Sequence, residues 1–511
     1  MKQQEFFSSR WALIIATIGI AVGTGNIWRF SRVVAQNGGG SFLIPWVIFL
    51  LIWSVPLIIA EFAIGKSTRM GPVGAIAKTA GKGFGWMGAW IVFVSTAIMF
   101  YYSVVTGWCI RYFFSAASGN LFNTSDHLIY WNDFSSGYQP LLFHFASMFL
   151  VALVVMRGIT QGIEKVTKIL VPSLLVILLI LFVRAITLPN AIEGIKYFFT
   201  PDINVILDYK VWLNALTQNA WDTGAGWGLI LTYAIYMKKK EDISLNAALI
   251  GFGNNSVSLI AGITIFSTVF ALSSVDLPAG QAGAMTQISQ SGPANTGLTF
   301  IYLPVLFTKL SESNLINTFF ASLFFLALFF AAFTSLISMV ELSTRTLIDF
   351  GIKRKKAIII IASMGFLLGI PSALDLSFLA NQDWVWGVGL ILSGAFISFS
   401  IIRYGVDKFR TEIINGYGSD VKIGKWYNFV IGILVPIQVV VLISWWLISS
   451  IGWDAEWWNP FHAENFGTVI FQWLIILILF FVLNKIMVNK VIVENYQMLK
   501  LTSLQINLYC H

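Results

Sequence analysis

Apolar stretches of about twenty residues recur along this chain: near 11–35, 42–64, 86–114, 141–156, 167–187, 212–237, 244–272, 315–350, 357–371, 384–403, 428–450 and 467–488. Twenty helical residues rise about 30 Å, the thickness of a bilayer's hydrocarbon core, and in lipid only a helix or a closed barrel satisfies its own backbone. The fold class follows: an all-α integral membrane protein of about twelve transmembrane helices. Charged residues are 11% of the 511, against roughly 25% in soluble domains. Little chain is left for a separate soluble domain, so the whole is read as one transmembrane domain.

The first stretch has no small-residue cleavage site and is read as a retained span. Cys109 and Cys510 are the only cysteines, one in a span and one in the tail, so no disulfide framework or redox chemistry is implied. A net charge of +8 invites a nucleic-acid reading, but the positions of the charges exclude it. Lys66 and Arg69 follow span 2; Arg157 and Lys165 follow span 4; Lys238 to Lys240 follow span 6; Lys353 to Lys356 follow span 8; Lys408 and Arg410 follow span 10. The loops after odd spans carry acids instead, among them Asp126, Asp133, Asp276, Asp454 and Glu456. The positive-inside rule then places both termini of a multi-pass protein in the cytoplasm.

Two spans are spoiled where lipid tolerates it least. "GIAVGTGNIWRF", Gly19 to Phe30, and "TQNAWDTGAGWGLILTY", Thr217 to Tyr233, each hold three glycines amid polar residues. Each glycine costs roughly 1 kcal/mol relative to alanine inside a helix. Irregular backbone at that depth is tolerated only when it is buried in protein or lines a cavity. One such cluster is equally well read as close helix packing. Two of them, in the first members of successive five-span sets, mark the midplane site of a secondary transporter built as an inverted repeat. Half-helix N-termini suit a carboxylate, while unwound carbonyls and C-terminal ends suit a small cation. A zwitterionic amino acid accompanied by Na⁺ meets both demands.

The motifs "GIAVGTGNIWRF", "NGGGSFLIPW", "AEFAIG", "FTSLISM" and "DWVWG" resemble the neurotransmitter:sodium symporters, most nearly the bacterial amino-acid transporters with the LeuT fold. The likeness runs from about Ser9 to the end of span 12. That fold is itself a type case of inverted repeats, so the repeat and the resemblance count as one observation. The resemblance implies a five-helix repeat over 9–187, an inverted one over 211–403 with helices 1 and 6 unwound, helices 11 and 12 over 427–488, and a bacterial inner (plasma) membrane.

It also implies two sodium sites. The first uses Ala21, Asn26, Asp222 and Asn254 with the substrate carboxylate; the second uses Gly19, Val22, Ala331, Thr334 and Ser335. On chemistry alone, Thr334 and Ser335 would be read as bonding back one turn along their helix. The implied substrate pocket is formed by Ala21, Gly23, Gly25, Ile98, Tyr102, Trp221, Asp222, Gly224, Trp227, Thr334 and Met339. Amine-transporting relatives place an aspartate at the position of Gly23, so a glycine there leaves space for a carboxylate and makes an amino acid the expected substrate. Trp221 and Trp227 replace the usual phenylalanines and Gly224 a serine, giving larger walls over a smaller floor.

Arg29 and Asp383 become the outer gate pair above an aromatic lid of Tyr102 and Trp221. Glu61, an acid inside span 2, is expected to hold the unwound backbone of spans 1 and 6. Asp222 stands where animal members have serine and use chloride beside the first sodium. With Ser258 neutral and Trp46 replacing a chloride-associated tyrosine, chloride is not expected to be required. A proton on Asp222 during the return step is a further expectation. Asp349 and Tyr236 match the inner gate, but Gln4 stands where its basic partner belongs, leaving Lys2 or Arg10 as substitutes.

Three rivals remain. A channel needs a continuous polar path, which these midplane clusters under bulky aromatics do not give. A membrane enzyme lacks a motif: His127, His144, His462 and His511 form no ligand pair. A carrier of betaines or other compatible solutes would exploit an aromatic cage, which Trp221 and Trp227 keep open.

Overall fold

The computed structural model describes residues 5–124, 126–273 and 296–509 with Gly283, Thr286, Ile288 and Ser289; side chains of the last helix are described as far as Glu494. Lys2, Gln4, Asp276, Cys510 and His511 lie outside the described residues. Among the described residues there is no strand, and ten helices are long and apolar enough to cross a bilayer. An eleventh span is the pair Arg10–Ala21 and Thr24–Gln36, bent by 65° at its break. The sixth stretch falls below that test of length and apolarity because its halves, Tyr209–Asp222 and Leu229–Ala234, have only 14 and 6 residues. Counting it as one broken crossing gives the twelve that the sequence predicts.

The two breaks arise differently. In span 1 the helix ends at Val22 (ψ 95°), Gly23 is extended, and a single tight turn over Thr24–Asn26 precedes the second half. Span 6 instead uses left-handed backbone, with φ of +69° at Gly224, +89° at Gly226 and +76° at Gly228. That region costs an L-residue roughly 1–2 kcal/mol, so three alanines there would favour a straight helix that erases the break.

Burial sorts the remaining spans. Span 3 (Lys82–Ala117), span 7 (Ile243–Leu272), span 8 (Asn314–Asp349) and span 10 (Leu376–Tyr404) are more than seven-tenths buried. Span 11 (Trp426–Ile451) and span 12 (Phe466–Glu494) bury less than three-tenths, which suits helices facing lipid. Spans 8 and 10 both pack on span 3; spans 7 and 8 also touch the turn in the break of span 1, and span 10 touches the first half of span 6.

Candidate functional site

Both breaks open on one cavity of about 350 Å³. Of the expected pocket residues, Ala21, Gly23, Gly25, Ile98, Tyr102, Trp221, Asp222, Gly224, Trp227 and Met339 line it. Thr334 does not: it is turned back on its own helix, donating to the carbonyls of Phe330 (2.9 Å) and Ala331 (3.1 Å).

Beside Gly23 the cavity wall is made of hydroxyls and unwound backbone. A Cβ at that position would stand 3.1 Å from the Tyr102 hydroxyl and 3.2 Å from that of Ser335, closer than ordinary packing, so the two hydroxyls close on the glycine and leave no room for a side chain. The nearby amides are partly engaged. Gly23 N donates to Asn26 Oδ1 (2.8 Å) and Thr24 N to the Tyr102 hydroxyl (3.3 Å). A Cβ on Gly25 would meet Asp222 Oδ1 at 3.1 Å, so glycine there lets the unwound backbone pass the carboxylate.

The residues of the expected first sodium site converge. With its oxygen fixed by Gly23, Asn26 directs Nδ2 toward Asn254 Oδ1 (2.7 Å), Ser258 Oγ (2.8 Å) and Asp222 Oδ2 (3.2 Å). Asn254 must therefore present its oxygen, and that atom lies 3.0 Å from the Ala21 carbonyl and 3.2 Å from that of Asp222. Oxygens meeting without a proton between them repel unless a cation is shared. This all-oxygen, buried donor set fits a hard monovalent ion. Ser258 also donates to Asp222 (3.1 Å), and the fully buried Gln218 side-chain amide faces the same carboxylate.

At the expected second site Ser335 crosses from span 8 to the end of the first half-helix, donating to the carbonyls of Gly19 (3.4 Å) and Ile20 (3.2 Å). Gly19 permits the approach, since a Cβ there would meet Thr334 Cβ at 3.2 Å. The chemical reading of this pair is thus half right: Thr334 bonds back and Ser335 does not. Val22 is not among the hydroxyls' partners.

Glu61, wholly buried, accepts from Gly226 N (2.6 Å) and Leu231 N (3.0 Å). Its hydrogen bonds therefore go to span 6 alone, not to both broken spans. It caps the second half-helix, where four amides lack intrahelical partners and the macrodipole is positive.

The outer gate differs from a simple pair. Arg29 and Asp383 line the same cavity, yet no ion pair within 4 Å joins them. Arg29 instead lies over the Trp221 ring, 4.3 Å from its centroid. The cavity continues past them to Arg32, Trp384, Trp446, Trp453 and Glu464, of which only Trp384, in the "DWVWG" motif, stood out in the sequence.

On the other side of the site the inner residues have partners that sequence reasoning missed. Tyr236 donates to Glu341 (2.6 Å), and Glu341 pairs with Arg354 (2.6 Å). Asp349 pairs with Arg345 one turn earlier (2.8 Å) and accepts from Gly71 N (2.6 Å). Arg10 is not the basic partner of Asp349: it donates to Asn246 (3.0 Å) and lies 3.8 Å from Asp420. A Glu and an Arg thirteen positions apart carry no periodic signal; the i, i+4 spacing of Arg345 and Asp349 was the one available clue. His127, His144 and His462 lie apart from this site, and among the described residues no cluster of three or more His, Cys, Asp or Glu could hold a metal.

The chain matches the Sodium:neurotransmitter symporter family over residues 4–134 and 137–490. It is 33% identical over 458 residues to an uncharacterised sodium-dependent transporter of Methanocaldococcus jannaschii, covering 86% of this chain and 90% of that one. It is 27% identical over 525 residues to the sodium-dependent serotonin transporter of Drosophila melanogaster, covering 92% and 80%. Among solved structures it is similar to the crystal structure of MhsT in complex with L-phenylalanine, with a TM-score of 0.74, 29% identity, and 86% and 99% of the two chains covered.

Proposed function

Because the chain belongs to the sodium:neurotransmitter symporter family, and is a sodium-dependent symporter and not an enzyme, we propose that it imports a neutral amino acid with an apolar or aromatic side chain. Transport proceeds by alternating access, with both termini cytoplasmic, two sodium ions and no need for chloride. The observation that carries the substrate reading is the glycine at 23, which lines the cavity against the hydroxyls of Tyr102 and Ser335 and brings no acid side chain of its own to hold a substrate amine. The remaining walls, Ile98, Trp221, Trp227 and Met339, favour an apolar side chain, and MhsT was crystallised with L-phenylalanine.

A carboxylate built into the wall supports chloride independence. Asp222 stands among Asn26 and Ser258, beside the oxygens proposed for the first sodium, and supplies there the negative charge that a bound anion would bring. The betaine reading is weaker, because a quaternary ammonium needs free aromatic faces and the Trp221 ring is already covered by Arg29 at 4.3 Å.

Proteoliposomes with an inward sodium gradient test this. Accumulation of a labelled large neutral amino acid is expected with chloride present or replaced by gluconate, and tracer counterflow should exchange it. Uptake indifferent to sodium, loss in gluconate, or competition by betaine alone among the solutes offered would each overturn the corresponding part.

A further inference from the structure

Span 10 offers the broken part of span 6 a face with little side chain on it. Gly387 and Gly394 are seven residues apart, two helical turns, and so share that face. At the lower contact backbone meets backbone: a Cβ on Gly226 would stand 3.1 Å from Gly394 Cα. At the upper one the six-membered ring of Trp221 occupies the position of the missing side chain. A Cβ on Gly387 would lie 1.6 Å from Trp221 Cζ2 and 2.3 Å from Cη2. The indole is further confined by Arg29 over its ring and by Trp227, 6.5 Å away at 75°. Span 10 cannot easily recede, because on its opposite side a Cβ on Gly389 would already lie 3.4 Å from Val94 Cγ2 and 3.5 Å from Trp90 Cζ2, with span 3 behind it.

Resting on the amino-acid reading above, we infer that Gly387 is a specificity-determining residue: it lets the Trp221 lid withdraw against span 10, and that withdrawal sets the largest substrate side chain admitted. Carbon atoms pack at about 3.5 Å, so a methyl group at 387 displaces the indole by about 2 Å, and the open direction is the cavity. The substrate is thus sized by a residue that does not itself line the cavity.

Three variants test this: Gly387→Ala, Trp221→Phe and the double variant. The readouts are sodium-dependent binding of an amino-acid size series and the melting temperature in detergent. Gly387→Ala is expected to weaken leucine and phenylalanine relative to alanine by about tenfold or more, as overpacking of this kind does. It should also lower the melting temperature. Trp221→Phe, smaller at the point of collision, should restore both in the double variant, making the effects non-additive. An unchanged ratio of large to small substrates, or additive melting shifts, overturns the inference. If the parent protein binds no amino acid, the reading of the substrate falls instead, while the melting cycle still decides the contact between Trp221 and Gly387.

Discussion

Asp222 shows how much one substitution changes the chemistry of a buried site. At the first sodium site proposed above, a carboxylate about 4 Å from Na⁺ would gain roughly 4 kcal/mol of Coulomb energy at an effective dielectric of 20. Holding that carboxylate within the bilayer costs about 2.5–3.5 kcal/mol on insertion scales, so the two nearly cancel only while the cation is bound. Ser258 and Asn26 orient it by hydrogen bonds of 3.1 and 3.2 Å. Asp222→Ser removes the fixed anion and leaves a hydroxyl, so sodium-dependent uptake should fall at least tenfold in gluconate and recover in part when chloride is restored. Uptake by the variant that matches the parent in gluconate would take Asp222 out of this role. Gly23, Asp222 and the span 6 glycines were legible in the sequence because their chemistry is local: a missing side chain or a charge in an apolar run. Gly387, Glu341 and Arg354 were not, because what matters about each is a partner far along the chain.

Elements follow the same division. The crossings were legible because lipid allows few alternatives, and the break in span 6 because left-handed backbone calls for glycine. The loop between spans 11 and 12 was opaque, since its structure comes from one side-chain cluster. There the His462 imidazole is hydrogen-bonded to Asp454, with Glu456 3.5 Å from its other nitrogen. The bond to Asp454 holds the His462 pKa above the ordinary histidine value despite some desolvation, and the same bond holds the Asp454 carboxyl below its usual range. The histidine's contribution is complete below its unfolded pKa of about 6.5 and is lost as pH rises through the raised folded value. The aspartate's contribution is present above about 3.9 and is lost as pH falls through its depressed value. The tether is thus fully formed between roughly pH 4 and 6.5 and weakens on either side. Trp453 in this loop packs on Trp384 with ring centroids 4.9 Å apart, so loosening reaches the mouth of the cavity. Hydrogen exchange across 453–465, corrected for intrinsic rates, should accelerate as pH rises above the histidine range, and His462→Gln should abolish that rise. A pH-independent profile in the parent would refute it.

At the scale of the whole molecule the site is open on one side only. From the midplane the cavity runs past Arg29 and Asp383 to Trp384, Trp453 and Glu464. In the opposite direction stand two layers of buried charge: Tyr236 with Glu341 and Arg354, then Arg345 with Asp349. Glu341 is wholly buried, so deleting its charge leaves Arg354 without its carboxylate, and breaking a buried pair costs about 3–5 kcal/mol. In the alternating-access cycle and topology proposed above, closing the cytoplasmic path would assemble these contacts, so that cost would fall on the outward-open state and move the population toward the inward-open one. Glu341→Gln should therefore speed thiol labelling of a cysteine placed at Ser338, in a background lacking Cys109 and Cys510, by at least tenfold, equivalent to about 1.4 kcal/mol. Combining Glu341→Leu with Arg354→Met should bring the rate back toward the parent's, because an apolar pair of similar volume fills the gap without stranding a charge. If labelling is slow in all three proteins, the closure is held by packing alone, such as that of Phe7 against Tyr233 with centroids 5.7 Å apart, and the charges are incidental to it.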